Sequence, residues 1–485
     1  MLLTIFLGIC LIGLLINLKY LTQHRGIVES FGLPYIKPFL CFGSPPFLFN
    51  YFIYSDWMIE QFKKFGKTWA RYDGVSPCIV TIDPEMIKQI TVKQFENFTE
   101  TFDMELPDNQ MTLDVSGGDT WRALRKLLSP TFTTGKMKGM LEPMDKLADR
   151  TIEYLSERAK TQKKIDVKPV IQGFALDTIS KCAFGMDTNA YKGEDTEFAT
   201  IAKDVFEQFR ATGWIATIFF NVLAHFPILV KYVNMWPASA QKIRQMTHDN
   251  IEARIKQNID LGDFIDRLKQ FKNELEPPIT ADMIDAQGIV FLTAGFETTA
   301  NTLGSVVYLL AKNPDVQEQL LDEINNVCDS AELINHETIK DMHLLEATIM
   351  ETLRLRPPVT EHDRVCTKDC EVNGIKIPKG TRIQMPNLPA HLDEEYFPEP
   401  NLFKPERFLK ENSDQIQEFT WRPFGSGNRV CIGQRFSMIE MKIFLAKFIS
   451  RFRIVNIPET KVEVEKGDLF MLYYNEMIVQ LDERV

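Results

Sequence analysis

One stretch near the carboxyl end decides the fold of this chain: Phe424-Gly425-Ser426-Gly427-Asn428-Arg429-Val430-Cys431-Ile432-Gly433. Glycine adopts positive φ easily, so the backbone here can turn tightly and approach a flat ligand. A helical run follows, with Phe436, Ile439 and Ile443 at spacings of three and four. Cys431 is therefore expected at the start of a helix, where the dipole and free N–H groups favour thiolate over thiol. Such a sulfur suits an iron that needs a strongly donating ligand.

Two other interpretations of this loop can be weighed when it is taken alone. A dinucleotide-binding fingerprint would need glycine at Val430 and a strand before the loop. A buried structural cysteine in a glycine turn is the second alternative. The loop closely resembles the cysteine loop of the cytochrome P-450 superfamily. That resemblance implies that Cys431 ligates the iron of haem b (iron protoporphyrin IX), with Phe424 and Arg429 also at the cofactor.

An apolar helix is expected upstream, with Thr280 as its N-cap and its end near Asn313-Pro314. Its centre reads Ala294-Gly295-Phe296-Glu297-Thr298-Thr299. Small residues there admit a cofactor face, and a Thr298 hydroxyl can bond the Ala294 carbonyl and distort the helix. A packing groove for a neighbouring helix is the alternative.

The same segment resembles the superfamily's Ala-Gly-x-Glu-Thr motif, which lies over the distal haem face. The resemblance implies that Ala294 and Gly295 border the cofactor. It also implies that Glu297 and Thr298 help to deliver protons during cleavage of the O–O bond of O2.

Two charged motifs extend the resemblance. Glu351-Thr352-Leu353-Arg354 places a carboxylate and a guanidinium on one helical face, which by itself is a common surface pair. In the superfamily such a pair is joined by an arginine from a segment like Pro405-Glu406-Arg407-Phe408. The resemblance therefore implies a buried structural triad of Glu351, Arg354 and Arg407. Removing one partner should cost on the order of 3–5 kcal/mol, because the others are left uncompensated.

Further basic residues are assigned by the resemblance to the haem propionates. Trp121 and Arg125 stand four apart and match the superfamily's Trp-x-x-x-Arg, and Arg364 matches another propionate-binding arginine. A basic run in this acidic protein is also a candidate docking face for an electron donor, with a solvated helix face as the alternative. Its members are Arg122, Arg125, Lys126, Lys136 and Lys138.

Composition narrows the function classes. The chain has 485 residues, 45% hydrophobic and 25% charged, with 35 Phe and a net charge of −11. That charge argues against general nucleic-acid binding and against membrane attachment by charge alone. The eight cysteines are scattered, and only Cys366 and Cys370 lie close together, so neither a disulfide framework nor a zinc site is indicated.

The amino terminus predicts a membrane anchor. Residues Leu2 to Leu18 are almost wholly apolar and uncharged, near the lower limit of about 17 residues for a spanning helix. Lys19 and Arg25 follow, which favours a cytosolic body over a cleaved signal peptide. We expect an anchor at 1–20, a Pro/Gly-rich linker at 21–48 and a catalytic domain at 49–485, on the cytosolic face of the endoplasmic reticulum membrane.

Periodicity predicts the class of fold for the body. Lys67 to Asp83 alternates and contains Asp73-Gly74, which predicts a β-hairpin. Most segments from Met86 to Leu355 have helical spacing, with β-like runs at Cys370 to Ile383 and Val462 to Leu481. The expected fold is mainly α: the cytochrome P-450 fold, one large helical domain with small β-sheets. The apolar segment Trp214 to Trp236 favours a surface that dips into the membrane, with a core helix pair as the alternative.

The resemblance implies a monooxygenase that inserts one atom of O2 into a lipophilic substrate: a steroid, a fatty acid or a xenobiotic. Electrons would come from NADPH through a flavoprotein reductase, with cytochrome b5 as a further candidate partner. Local stretches around Leu127 to Phe132 and Val372 to Gly380 look most like the animal microsomal family that oxidises drugs and steroids. A haem-thiolate isomerase and a non-catalytic haem sensor are the alternatives. Phe291, the Val359-Thr360 loop, Phe219-Phe220 and Phe470 are the expected pocket residues.

Overall fold

The structure is a computed structural model, and only part of the chain is described. The described residues are 8, 11, 15, 26–38, 44, 51–73, 76–101, 106–193, 196–208, 234, 236–272, 278–328, 333–461 and 471–484. The predicted anchor and the stretch between Trp214 and Trp236 fall almost wholly outside them, as do Phe219, Phe220 and Phe470. Within the described ranges no helix has the length and apolar character needed to cross a bilayer.

Helices make up most of the described chain. They are α1 (Ile27–Ser30), α2 (Tyr51–Phe65), α3 (Pro84–Lys88), α4 (Gly118–Leu128), α5 (Thr134–Thr161), α6 (Lys168–Phe184), α7 (Ala238–Gln257), α8 (Phe264–Lys272), α9 (Ala281–Lys312), α10 (Pro314–Val327), α11 (His343–Leu355), α12 (Asn387–His391) and α13 (Gln434–Arg451). Residues 197–208 are also helical. Short turns of tighter helix include Ser129–Phe132, Pro405–Phe408 and Gly427–Arg429.

The strands in the described ranges form three small sheets. They are β1 (Thr68–Asp73), β2 (Ser76–Thr81), β3 (Ile165–Asp166), β4 (Glu361–Val365), β5 (Cys370–Val372), β6 (Ile375–Ile377), β7 (Arg382–Pro386), β8 (Phe452–Val455) and β9 (Ile478–Glu483). Their orders are β1-β2-β7-β4, β3-β9-β8 and β5-β6. The predicted hairpin is confirmed, with Thr68 opposite Thr81 and Asp73 opposite Ser76. The mainly helical fold with small sheets is likewise confirmed.

Helix α9 lies at the centre of the main core. Thr280 caps it by accepting from the Met283 N–H, and Asp282 and Lys312 stand at the ends that suit the helix dipole. It packs against α6, α7, α11 and α13, and for that reason most of its side chains are buried on every side. The sequence prediction of its start and end is correct.

The four-stranded sheet brings distant parts of the chain together. β7 pairs parallel to β2 and antiparallel to β4, with Arg364 opposite Ile383. Part of the stretch expected as a linker also belongs to this sheet region. The Ile36 N–H bonds the Ala70 carbonyl at 3.0 Å, and Val28 is fully buried in a second apolar cluster. The domain boundary at residue 49 remains a prediction.

Candidate active site

The cysteine loop is closed by its own backbone. The Cys431 N–H donates to the Phe424 carbonyl at 2.9 Å, and Val430 N–H to the Gly427 carbonyl at 3.1 Å. Gly425 and Gly427 have φ of 78° and 66°, in the left-handed region that favours glycine. The loop thus turns back on itself and delivers Cys431 three residues before α13 begins.

Gly427 also faces a close contact. A Cβ built on this residue would lie 2.1 Å from the Thr91 carbonyl oxygen, which is a backbone atom that cannot rotate away. Gly425 is less constrained, since its Cβ would meet the His362 ring at 3.5 Å. The glycine at 427 is therefore required both by the backbone angle and by the close approach of another segment.

The Cys431 side chain is accessible, yet the surrounding protein desolvates its sulfur. Burial raises the pKa of the Cys431 thiol, while the N–H groups of Gly433 and Gln434 and the charge of Arg125 act in the opposite direction. The lowering expected from the helix start is present, but desolvation outweighs it. Ligation to a metal ion is the interaction that would hold this sulfur deprotonated.

Three guanidinium groups gather next to the cysteine loop, and one of them, Arg125, acts directly on the Cys431 sulfur. Burial, followed by repulsion from Arg364, lowers the pKa of Arg429 to about 9, and Arg125 adds to the repulsion. Burial lowers the pKa of Arg364 to about 10. The Arg429 guanidinium lies 4.7 Å from the centre of the Trp121 ring. The structure therefore brings Arg429 of the cysteine loop together with the three residues that the resemblance assigned to the propionates, which are Trp121 and Arg125 of α4 and Arg364 of β4.

This cluster fits an anionic cofactor. The buried Nε atoms of Arg364 and Arg429 have no hydrogen-bond partner in the part of the chain that the structure describes. Glu100 and Asp114 lie close enough to raise the pKa of Arg429, but they do not restore it to its ordinary value. Like charges held together in a desolvated site favour an anion between them. A haem with two carboxylates and an iron that takes a thiolate matches this donor set.

The predicted charged triad is assembled behind the loop. Glu351 and Arg354 are fully buried and joined by two hydrogen bonds of 2.7 Å. The Arg407 Nε lies 3.5 Å from a Glu351 oxygen. Arg354 also donates to the backbone carbonyls of His391 and Pro400, at 2.8 and 2.7 Å. The triad thereby ties α11 to the long segment that precedes the cysteine loop.

His391 and Arg422 continue this connection, and sequence reasoning did not select either for the site. The buried His391 ring bonds the Arg354 carbonyl through Nδ1, at 3.0 Å, and accepts the Arg422 N–H at Nε2, at 3.1 Å. The Arg422 carbonyl in turn accepts the Gly425 N–H at 2.9 Å. This chain of bonds positions the start of the loop. The only feature of the sequence that could have indicated Arg422 is its position just before the glycines of the cysteine loop.

Some residues at the centre of α9 border an opening, and others pack against α6. The Thr298 hydroxyl donates to the Ala294 carbonyl at 2.6 Å, as expected, although α9 stays helical throughout. Ala294 is exposed within this otherwise buried helix, so it borders an opening. Gly295 instead fits the alternative interpretation of this segment, a packing groove for a neighbouring helix. A Cβ there would meet the Ile179 side chain at 2.9 Å, which makes Gly295 a packing position for α6.

Glu297 lies on the α6 side of α9, and two of its partners were not found from sequence. The Gln172 amide donates to both carboxylate oxygens at 3.1 and 3.2 Å, and Asn301 donates at 3.3 Å. Glu297 is only 2% exposed. No pattern marks Gln172, because only the packing of α6 on α9 brings it to the carboxylate.

Two further predictions can be placed. Phe291 stacks on Phe264 with ring centres 3.6 Å apart and also on Phe132, so its ring fills a helix interface. In the basic run, Arg122 is paired with Glu96 and with Asp119. The pairs reduce the positive charge that this residue offers to a partner.

The fold and this site define a haem-thiolate class of protein. The sequence pattern of the family described as cytochrome P450 matches residues 34–479. The chain belongs to the cytochrome P450 family, and it is a monooxygenase of that type. The resemblance predicted from its motifs is confirmed.

Individual relatives agree with this assignment. Cytochrome P450 3A11 of Mus musculus is 32% identical over 471 residues, which cover 94% of this chain and 92% of that protein. Cytochrome P450 3A41 of the same species is 33% identical, covering 92% and 90%. Cytochrome P450 3A6 of Oryctolagus cuniculus is 31% identical, covering 95% and 93%. These relatives are animal proteins, as the local stretches predicted.

Proposed function

We propose that this monooxygenase inserts one atom of O2 into a lipophilic organic substrate, using electrons that NADPH supplies through a flavoprotein reductase. The other oxygen atom leaves as water. One observation carries the proposal. The accessible Cys431 sulfur lies near Arg125, in a cluster with Arg364 and Arg429, whose buried Nε atoms have no hydrogen-bond partner among the described residues. That donor set calls for an iron and two carboxylates together.

In this proposal each residue has a stated task. Cys431 ligates the iron of haem b, and the cofactor supplies the binding and reduction of O2. Arg125, Arg364 and Arg429 bind the propionates, with Trp121 against Arg429. Phe424 and Ala294 would border the bound cofactor.

Thr298 and Glu297 are proposed to move protons. The Thr298 hydroxyl is half-buried beside the exposed Ala294, so it can reach the opening. Glu297 stands one residue away, with its carboxylate held by Gln172 and Asn301. A carboxylate with firm donors and an adjacent hydroxyl can exchange a proton when the site excludes bulk water.

The substrate class is argued from the pocket and the relatives. A charged substrate would need paired polar groups, whereas Val359, one of the expected pocket residues, is apolar and lies next to Met471 through a backbone bridge. The relatives carry the cytochrome P450 3A name, and a steroid, a fatty acid or a xenobiotic fits the same class.

We place the protein on the endoplasmic reticulum membrane with its body in the cytosol. The apolar stretch Leu2 to Leu18 followed by Lys19 supports an anchor in that orientation. A reductase, with cytochrome b5 as a further donor, would dock at the basic surface of α4 and α5. Lys126, Lys136 and Lys138 are the charges there that favour an acidic partner.

The deciding experiment is the carbon monoxide difference spectrum of the reduced holoprotein. A strongly red-shifted Soret band is expected for the wild type and for Cys370→Ser, which removes a half-buried thiol elsewhere. Cys431→Ser should abolish the band. A band typical of histidine ligation in the wild type would overturn the assignment of Cys431.

A second measurement separates the reaction classes. Product formation from lipophilic substrates should require both NADPH and reductase. Conversion of a peroxide without either would instead indicate a haem-thiolate isomerase, and haem binding without turnover in any assay would indicate a sensor.

A further inference from the structure

Two cysteines face each other where β4 passes into the β5–β6 hairpin. The Sγ atoms of Cys366 and Cys370 lie 3.6 Å apart, and three residues separate them in the chain. No other pair of thiols within the described residues has a recorded contact. A disulfide needs the sulfurs at about 2.05 Å, so closing this pair requires a shift of about 1.5 Å.

The backbone on both sides of the pair is already fixed. The Cys366 N–H donates to the Thr381 carbonyl at 2.9 Å, and its carbonyl accepts the Gly380 N–H at 2.8 Å. The Thr367 N–H donates to the Asn97 carbonyl at 2.8 Å. Cys370 pairs with Ile377 in the hairpin. Since these bonds hold the thiols together in the folded protein, the shift can come from rotation of the side chains.

The two thiols differ in reactivity. Cys366 is fully buried, and burial raises the pKa of its thiol to about 12. Cys370 is half-buried, and burial raises the pKa of its thiol as well, but there the hydrogen bond with Cys366 acts in the opposite direction. The more accessible and better stabilised sulfur attacks an oxidant first, since the thiolate is the nucleophile. Cys370 is thus suited to attack, and Cys366 to resolve.

We propose that Cys366 and Cys370 form a reversible disulfide when the protein meets hydrogen peroxide. The Cys370 sulfur attacks the peroxide, the O–O bond breaks, and a sulfenic acid and one water result. The Cys366 sulfur then displaces the hydroxyl from Cys370 as a second water, with its own proton completing that water. Two thiols lose two electrons in all, and one peroxide gains them.

The position of this pair gives the modification a direct link to the site. Arg364, on β4, stands two residues before Cys366 and belongs to the guanidinium cluster with Arg429 and Arg125. The formation of the disulfide itself depends only on the two thiols and the peroxide. It can therefore be tested independently of the proposed monooxygenase chemistry.

Lys368 lies between the two cysteines, so digestion with trypsin can show whether a disulfide joins them. Trypsin cuts after Arg364, Lys368 and Lys376, so it separates residues 365–368 from residues 369–376. The full-chain holoprotein is exposed to hydrogen peroxide, blocked with a maleimide while folded and again after denaturation, digested, and analysed by mass spectrometry. We expect the two peptides to remain joined in most molecules, and dithiothreitol to release them.

Single variants provide the controls. In Cys366→Ser the attacking thiol has no resolving partner, so Cys370 should accumulate as a sulfenic acid that dimedone traps. In Cys370→Ser the buried Cys366 should stay reduced and take up the maleimide only after denaturation. The carbon monoxide spectrum of each variant verifies that the fold is intact.

Two results would overturn the proposal. One is a wild-type protein whose peptides 365–368 and 369–376 both carry the maleimide after peroxide treatment. The other is overoxidised Cys370 with Cys366 still alkylated, which would mean that the resolving step does not occur.

Discussion

The side-chain amide of Gln172 donates to both carboxylate oxygens of Glu297, at 3.1 and 3.2 Å, and so joins α6 to α9. Asn301, one turn further along α9, donates a third bond at 3.3 Å. Hydrogen bonds of this kind favour the charged form of a carboxylate and fix its direction. Gln172 is therefore a positioning residue for the proposed proton transfer.

Replacing that amide should impair proton delivery and leave substrate binding intact. In Gln172→Leu we expect kcat for product to fall by about tenfold while KM changes little, because a hydrogen bond to a charged group contributes about 1.5–3 kcal/mol. The pH profile of kcat should shift as well, since fewer donors stabilise the ionised Glu297. Steady-state kinetics across pH with NADPH and reductase measure both effects.

Gln287→Leu is the matched control for that variant. Gln287 is a buried amide on α9, the helix that carries Glu297, and it bonds backbone groups of Met111 and Leu113. Its loss should lower thermal stability without shifting the pH profile. An equal shift in both variants would show that Gln172 acts only through stability.

Thr298→Ala should bind substrate normally but divert electrons to hydrogen peroxide. The hydroxyl beside Ala294 is the proposed proton donor, and general acid catalysis commonly contributes a factor of about 100 or more. We expect product per NADPH to fall by about tenfold or more, with a matching rise in peroxide. Thr293→Ala is the control, since its hydroxyl makes the same bond to a carbonyl four residues back, at 2.9 Å. Fully coupled turnover in Thr298→Ala would contradict the assignment.

Gly427→Ala should prevent the loop from presenting Cys431. Gly374 is the control that separates backbone strain from steric clash. Gly427 and Gly374 both have positive φ, 66° and 81°. Each alanine variant carries about 1–2 kcal/mol of backbone strain. Only at 427 does the new Cβ also meet the Thr91 carbonyl, whereas nothing lies within 4 Å at 374. The carbon monoxide band per mole of protein should collapse in Gly427→Ala and persist in Gly374→Ala.

Acid should weaken the fold through His391. Burial, followed by repulsion from Arg422 and Arg354, holds the pKa of this ring well below its ordinary value of 6.5. The folded protein keeps the ring neutral, so the unfolded chain binds more protons below about pH 6.5. Stability is therefore fully present above that pH and is lost as the pH falls, by up to about 1.4 kcal/mol per unit.

His391→Gln isolates this contribution, since glutamine has a donor and an acceptor but does not titrate. We expect the variant to be less stable than the wild type at pH 7.5, with the difference shrinking between pH 6.5 and 5. Thermal unfolding of the holoprotein across that range measures it. Parallel stability curves for the two proteins would refute a role for His391 protonation.

Much of this molecule could be predicted from its sequence. Thr280 at the start of α9, the hairpin of β1 and β2, and the glycine loop before Cys431 depend on backbone preferences that act over a few residues. The charged residues of the site were found through resemblance, because Glu351 and Arg407 stand far apart in the chain. Their meeting within 3.5 Å cannot be derived from local pattern.

The sequence by itself determined the local elements and the chemical types at the site: a thiol in a glycine loop, a Thr–Glu pair on an apolar helix, and arginines in three separate segments. Only the tertiary structure decided how these are used. In the folded protein Gly295 packs against α6, and the Gln172 amide donates to the Glu297 carboxylate. At Cys431, burial raises the thiol pKa more than the N–H groups at the helix start lower it. The physical reason is that backbone preference is set by neighbours in the chain, whereas desolvation and hydrogen-bond partners are set by segments that meet only when the chain has folded.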